Sequence, residues 1–155
     1  MMYQTHRLIG VLLGLVIYVN FNLDHKILFF TAILLGSIFV DIDEPRSFIG
    51  RKLKLLSWPI KWMFGHRGIF HSMFMALLLS ALIYHFLEEY SGIGFFVGYL
   101  GHIIADGITL SGVKIFYPLS KVSLKGFIRT GGMLEKLLFF VLLIVTIWTV
   151  IKFVL

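Results

Sequence analysis

The chain has 155 residues, of which 59% are apolar and 14% charged, and its mean hydropathy is +0.94. Soluble domains run nearer half apolar and a quarter charged, so this composition excludes an ordinary water-soluble globule. With no cysteine, disulfides, thiolate metal sites, iron–sulfur clusters and cysteine nucleophiles are excluded together, and any metal must take His and carboxylate ligands.

The expected fold is all-α: one integral membrane domain over residues 1–155, built as a polytopic helical bundle of about five spans. The first apolar segment runs from Leu8 to Val19, behind His6 and Arg7. No small-residue cleavage pattern follows it around Val19-Asn20-Phe21-Asn22, so it reads as part of the mature chain. The second, Ile27 to Val40, leads directly into Asp41-Ile42-Asp43-Glu44-Pro45. At ~1.5 Å per residue these two segments reach about 18 and about 21 Å, short of a hydrocarbon core of ~30 Å, and they fit only if packed against longer neighbours. Residues 51–64 mix Arg51, Lys52, Lys54 and Lys61 with Trp58, Trp62 and Leu residues, the pattern of a helix lying in the headgroup layer or of a packed amphipathic linker. The third, fourth and fifth segments, Ile69 to Leu87, Ile93 to Leu110 and Leu134 to Leu155, have spanning length. Gly10/Gly14 and Gly94/Gly98, with Gly101 beyond, have the spacing that lets membrane helices approach closely. Between the last two segments, Val113 to Gly132 reads as a short hairpin or a re-entrant loop.

The 14 Lys and Arg outnumber the 8 acidic residues by six, and their placement is uneven. With the N-terminus inside, Arg7, the basic residues of 41–68 and those of 107–136 all face the cytoplasm, leaving only Lys26 and Lys152 outside. This is the positive-inside pattern, with the C-terminus outside. The basic residues are scattered and lack an aromatic stacking platform, so no nucleic-acid partner is expected; the partner implied is membrane lipid.

The same topology gathers His6, Asp41, Asp43, Glu44, His66, His71, His102, Asp106 and Glu135 at the cytoplasmic ends of the segments, drawn from all five. Ionisable groups in or beside spans are costly and read first as functional. His102 and Asp106 lie one turn apart on a helical face, as two metal ligands or as a His oriented by an Asp. Asp41 and Asp43 offer hard oxygens, or an acidic helix N-terminus. In His66-Arg67-Gly68-Ile69-Phe70-His71-Ser72, two imidazoles at spacing five converge only if the first precedes the helix, and Gly68 is expected to free the backbone there. Arg67 is then placed to meet an anion. Glu135, after Gly131-Gly132, reads as a ligand, a base or a favourable charge at a helix N-terminus. Imidazole and carboxylate together suit Zn, with Mn as the alternative, in a centre of one or two ions.

In this order and at these spacings, Thr5-His6, Asp41-Ile42-Asp43-Glu44-Pro45-Arg46-Ser47, His66 to Ser72, and Gly98-Tyr99-Leu100-Gly101-His102-Ile103-Ile104-Ala105-Asp106, continued by Thr109, Gly112 and Pro118, resemble the YdjM-like family of membrane-bound metal-dependent hydrolases. Phe70 and Glu44 depart from that pattern, standing where Thr and His are expected. More distantly, the arrangement is similar to the helical zinc sites of phospholipase C and P1-type nucleases. The resemblance implies metal-assisted hydrolysis of a phosphoester, in a lipid or lipid-linked substrate reached from the inner leaflet. On that reading His6, Asp41, His66, His71, His102 and Asp106 are the ligands. Asp43 bridges metals or orients water, Arg67 stabilises phosphoryl charge, and Glu135 is the acid or base. Two alternatives stand beside it. One is a non-catalytic metal-binding membrane protein, although the apolar span interiors offer no transport path. The other is a structural cluster that fastens the helix ends.

Overall fold

The computed structural model describes residues 1–21 and 23–153. Asn22, assigned by sequence to the first outer loop, and Val154 and Leu155, at the end of the expected fifth span, lie outside the described residues. Those described form seven α-helices and two 3-10 turns, with no regular strand among them: α1 Tyr3–Phe21, α2 Lys26–Phe39, α3 Phe48–Lys52, α4 Lys54–Phe64, α5 Met73–Phe86, α6 Glu89–Gly107 and α7 Met133–Phe153. One 3-10 turn, Val40–Asp43, closes α2, and the other, Ile69–His71, precedes α5.

Two of the helices, α1 and α7, are long and apolar enough to cross a membrane. The expected segment bounds are corrected in three places. The first gains Tyr3 to Arg7 at its start and Asn20 and Phe21 at its end, making α1 19 residues long. The third loses its start, because Ser72 caps α5 by accepting a hydrogen bond from the Met75 N–H at 3.3 Å, leaving a helix of 14 residues. Glu88 likewise caps α6 through the Ser91 N–H at 2.7 Å, so that helix begins before Ile93 and ends at Gly107.

Helix α6 is the axis of the bundle, packing against α1, α2 and α5, while α7 lies on α1. Glycine makes the close approaches possible. A Cβ at Gly98 would stand 2.0 Å from the Ile33 carbonyl oxygen, and one at Gly36 would stand 2.2 Å from that of Phe95, so α2 and α6 meet backbone to backbone. Gly101 meets Gly10 of α1 in the same way. Around these contacts lie two buried clusters, one with Phe29 and Ile33 and the other with Tyr99 and Ile103.

On the side where α2 and α6 end, α3 and α4 lie outside the bundle, fastened by an ion pair between Lys61 and Glu44 at 2.7 Å. Helix α4 leaves Leu55 and Trp62 almost fully exposed, a face suited to the lipid interface. Residues 113–132 fold back as the hairpin alternative, with Val113 and Leu124 exchanging both backbone hydrogen bonds at 2.9 Å, too briefly to make a strand.

Candidate metal centre

Local chain geometry brings five segments to one point. In the turn that ends α2, the Ser47 hydroxyl donates to the Asp41 carbonyl at 2.8 Å and accepts from the Gly50 N–H at 2.9 Å, holding the acidic segment against α3. Ahead of α5, the left-handed residue is Arg67, at φ 60. Gly68, expected to supply that freedom, has φ −88. Its lack of a side chain serves a different need, since a Cβ there would lie 2.1 Å from the Phe64 carbonyl oxygen. The Tyr99 hydroxyl donates to the Phe70 carbonyl, tying the turn to α6.

Four side chains then face one another. His71 Nε2 is 3.6 Å from Asp41 Oδ1 and 3.5 Å from Asp106 Oδ2. His102 Nε2 is 3.6 Å from the same Asp41 oxygen and 3.9 Å from the same Asp106 oxygen. These spacings are too long for hydrogen bonds. Both Nε2 atoms are buried and without a hydrogen-bond partner, a costly state unless something occupies the space between them. A tetrahedral ion with bonds of ~2.0–2.1 Å holds its ligand atoms about 3.3–3.4 Å apart; Asp41, His71 and His102 lie close enough together to hold one, with Asp106 Oδ2 at 3.5 and 3.9 Å from the two imidazole nitrogens.

The other ring nitrogens fix the tautomers. His102 Nδ1 lies 2.8 Å from the Ser37 carbonyl oxygen, to which only an N–H can donate, so its Nε2 carries the lone pair. His71 Nδ1 lies 3.0 Å from Asp43 Oδ2, so its N–H is spent there and Nε2 is the nitrogen left to face an ion. A carboxylate or carbonyl behind each imidazole is the usual support of a metal-bound His. Burial would raise the Asp41 carboxyl, but the neighbouring His102, His71 and His6 outweigh it and hold it well below the usual carboxylate range. Asp43 is likewise raised by burial and lowered further by its bonds to His66 and His71. Both are therefore anionic near neutrality, as cation binding requires.

The remaining expected residues take different positions. Asp43 is fully buried. It accepts from His66 Nδ1 at 3.1 Å, from His71 Nδ1, and from the Arg67 N–H at 3.1 Å. Three of its four lone-pair sites are thus engaged, one on Oδ1 and two on Oδ2, which places Asp43 behind the two imidazoles as their support. His66, a third exposed, is joined to Asp43 and stands outside the four-atom set. His6 Nε2 sits 3.2 Å from Asp106 Oδ1, its ring against that of His102 at 3.9 Å between centroids. Arg67 donates to Asp106 Oδ1 at 2.9 Å and to the Gly112 carbonyl at 2.9 Å. Glu135, expected as acid or base, is instead buried and accepts backbone N–H groups from Met2 at 2.5 Å and Gly131 at 2.6 Å, which pins the start of α1 to that of α7.

A cavity of about 310 Å³ opens beside the centre. His6, Asp41 and Asp106 form part of its wall, and Arg46, Arg51 and Arg67 bring three positive charges to it. The profile described as "YdjM inner membrane protein" matches residues 1–155. The chain belongs to the YdjM family.

Inner membrane protein YdjM of Escherichia coli strain K12 is 34% identical over 123 residues, covering 74% of this chain and 63% of its own length. YdjM of Shigella flexneri matches to the same extent. Uncharacterized protein YvsG of Bacillus subtilis strain 168 is 31% identical over 104 residues, 66% of this chain and 65% of its own. The matched part thus spans just under two thirds of these relatives' lengths. No solved structure matches. As a YdjM-family member the chain is a membrane protein, in keeping with its two long apolar helices. The sequence reading missed the Ser37 carbonyl, because a backbone acceptor has no residue signature. Gly112 figured there only in the family resemblance, with no role given to the carbonyl that anchors Arg67.

Proposed function

We propose that this YdjM-family chain is a metal-dependent hydrolase that cleaves a phosphoester in a lipid or lipid-linked substrate at the cytoplasmic membrane face. The observation that carries this reading is the pair of partnerless buried imidazole nitrogens facing two carboxylate oxygens, beside a cavity with three arginines. On this reading α1, α2, α5, α6 and α7 are the five spans, with the N-terminus inside and the C-terminus outside. The bias of Lys and Arg toward one side supports that orientation. At 14 residues, α2 and α5 are shorter than a full span, and their packing against α6 supports a shared passage across a locally thin region.

His71, His102, Asp41 and Asp106 hold the ion, with Zn first and Mn as its rival. A divalent cation held by these residues would supply Lewis acidity toward a phosphoryl oxygen and would make water a nucleophile near neutral pH, which requires a coordination position beyond the four protein ligands. The protein's groups do the rest. Arg67, fixed by Asp106 and the Gly112 carbonyl, presents a guanidinium to charge developing on the phosphoryl group. His6 has an oxygen acceptor at each ring nitrogen, the Met2 carbonyl 2.9 Å from Nδ1 and Asp106 Oδ1 3.2 Å from Nε2, and so braces Asp106. The exposed apolar face of α4 supports delivery of an amphiphilic substrate from the inner leaflet.

The test is metal content by mass spectrometry of detergent-purified protein, beside folded His102→Ala and Asp106→Ala variants, followed by phosphoester lipids in micelles. The expected outcome is stoichiometric Zn or Mn in the wild type, its loss in both variants, and release of phosphate or headgroup that requires the metal. No metal after reconstitution with divalent ions overturns the reading. Metal bound without turnover of any phosphoester class replaces it with a non-catalytic metal-binding membrane protein.

A further inference from the structure

Three overlapping groups of His and acidic side chains lie close enough to hold an ion: Asp41 with His71 and His102; His6 with His102 and Asp106; and Asp43 with His66 and His71. Resting on the metal-centre reading above, we infer that only the first of these is filled, by one divalent ion together with Asp106, and that the guanidinium of Arg67 stands where a second ion would bind.

The ligand atoms permit no other division. His102 appears in two of the groups, but its Nδ1 is committed to the Ser37 carbonyl, so it has one lone pair and serves one ion. The Asp43 group requires His71 Nδ1, which already donates to Asp43 Oδ2, and that same oxygen receives the Arg67 N–H at 3.1 Å. A cation there would face two N–H groups pointing at it. In the His6 group the shared oxygen is Asp106 Oδ1, and Arg67 Nη2 already donates to it at 2.9 Å. Asp106 is thus used as a bridging carboxylate is used in a two-metal site, with Oδ2 toward the ion and Oδ1 toward a positive charge. The second charge, however, is a guanidinium, joined on Oδ1 by the Met1 ammonium at 3.2 Å.

Arg67 is built into this place. Its backbone is left-handed at φ 60, its own N–H is spent on Asp43, and Nη1 is anchored on the Gly112 carbonyl at 2.9 Å. A guanidinium cannot lose its proton near neutrality, so the site carries a fixed positive charge that no chelator removes.

Cobalt(II) titration of metal-free full-length protein in detergent reads the count without any turnover. Visible absorption and electron paramagnetic resonance are followed together. We expect the absorption to stop rising at one equivalent, with a spectrum free of spin coupling between ions. A rise to two equivalents, or a coupled spectrum, overturns the inference and leaves the metal reading standing. No absorption change at any ratio overturns both. Arg67→Ala is expected to keep the first equivalent and to admit a second, weaker one through His6 Nε2 and Asp106 Oδ1; a titration still ending at one equivalent would refute the assignment of Arg67. If that variant does not fold, the wild-type endpoint alone decides the count.

Discussion

Asp43 supplies no ligand atom to the four-atom set, yet it orients the imidazole that does, and the two roles are separable by substitution. Asp43→Asn keeps the volume and one carbonyl oxygen but replaces the other acceptor with an amide donor that faces either His66 Nδ1 or His71 Nδ1. Such supporting groups typically change metal affinity by about 10–100-fold, so competition against a chromophoric chelator should show a loss in that range with stoichiometry retained. Complete loss of binding would make Asp43 a ligand. Glu135 is the converse case, an expected acid or base whose oxygens are spent on backbone N–H groups. Glu135→Ala strands buried donors at about 1–3 kcal/mol each. Thermal unfolding in detergent should therefore fall well below wild type while cobalt stoichiometry stays at the wild-type value. Loss of metal with unchanged stability would return Glu135 to the centre. Sequence reading identified both as functional candidates from the cost of burying a carboxylate near a membrane, but a carboxylate's partner is a distance across the fold.

At the scale of elements, the centre depends on how tightly α2 and α6 pack, because the carbonyl that fixes the His102 tautomer belongs to Ser37 of α2. Gly98→Ala places a methyl group 2.0 Å from the Ile33 carbonyl oxygen, a backbone atom that cannot rotate away. Overpacking of this kind costs about 1–3 kcal/mol. It should lower the unfolding temperature and weaken metal binding together, as α2 and the Ser37 carbonyl move off α6. A variant of wild-type stability would mean that the helices have slack at this contact. The small-residue spacing was legible along the chain because it recurs every four positions. The boundaries of α1 and α5 were not. Apolar runs do not register Tyr3 to Arg7 as helix, and the Ser72 cap that shortens α5 competes locally with an apolar run that continues through it.

For the whole molecule, composition settles the solvent, and the positive charges bear on orientation. Apolar content, few charges and a one-sided distribution of Lys and Arg are sums over the chain, so they are available without any contact being known. They support an all-helical membrane protein whose ionisable groups meet at one end. The same is true of the candidate list: His6, Asp41, Asp43, His66, His71, His102 and Asp106 are expensive to bury, and each sits where an apolar segment ends. What only the tertiary structure decided is the division of labour among them. Asp43 meets His71 across 28 positions and Asp106 meets Arg67 across 39. Which oxygen faces an imidazole and which faces a guanidinium depends on turns and helix contacts closing together. No periodicity or spacing encodes that choice, because a hydrogen bond is made by atoms in space and its two partners carry no mark of each other along the chain.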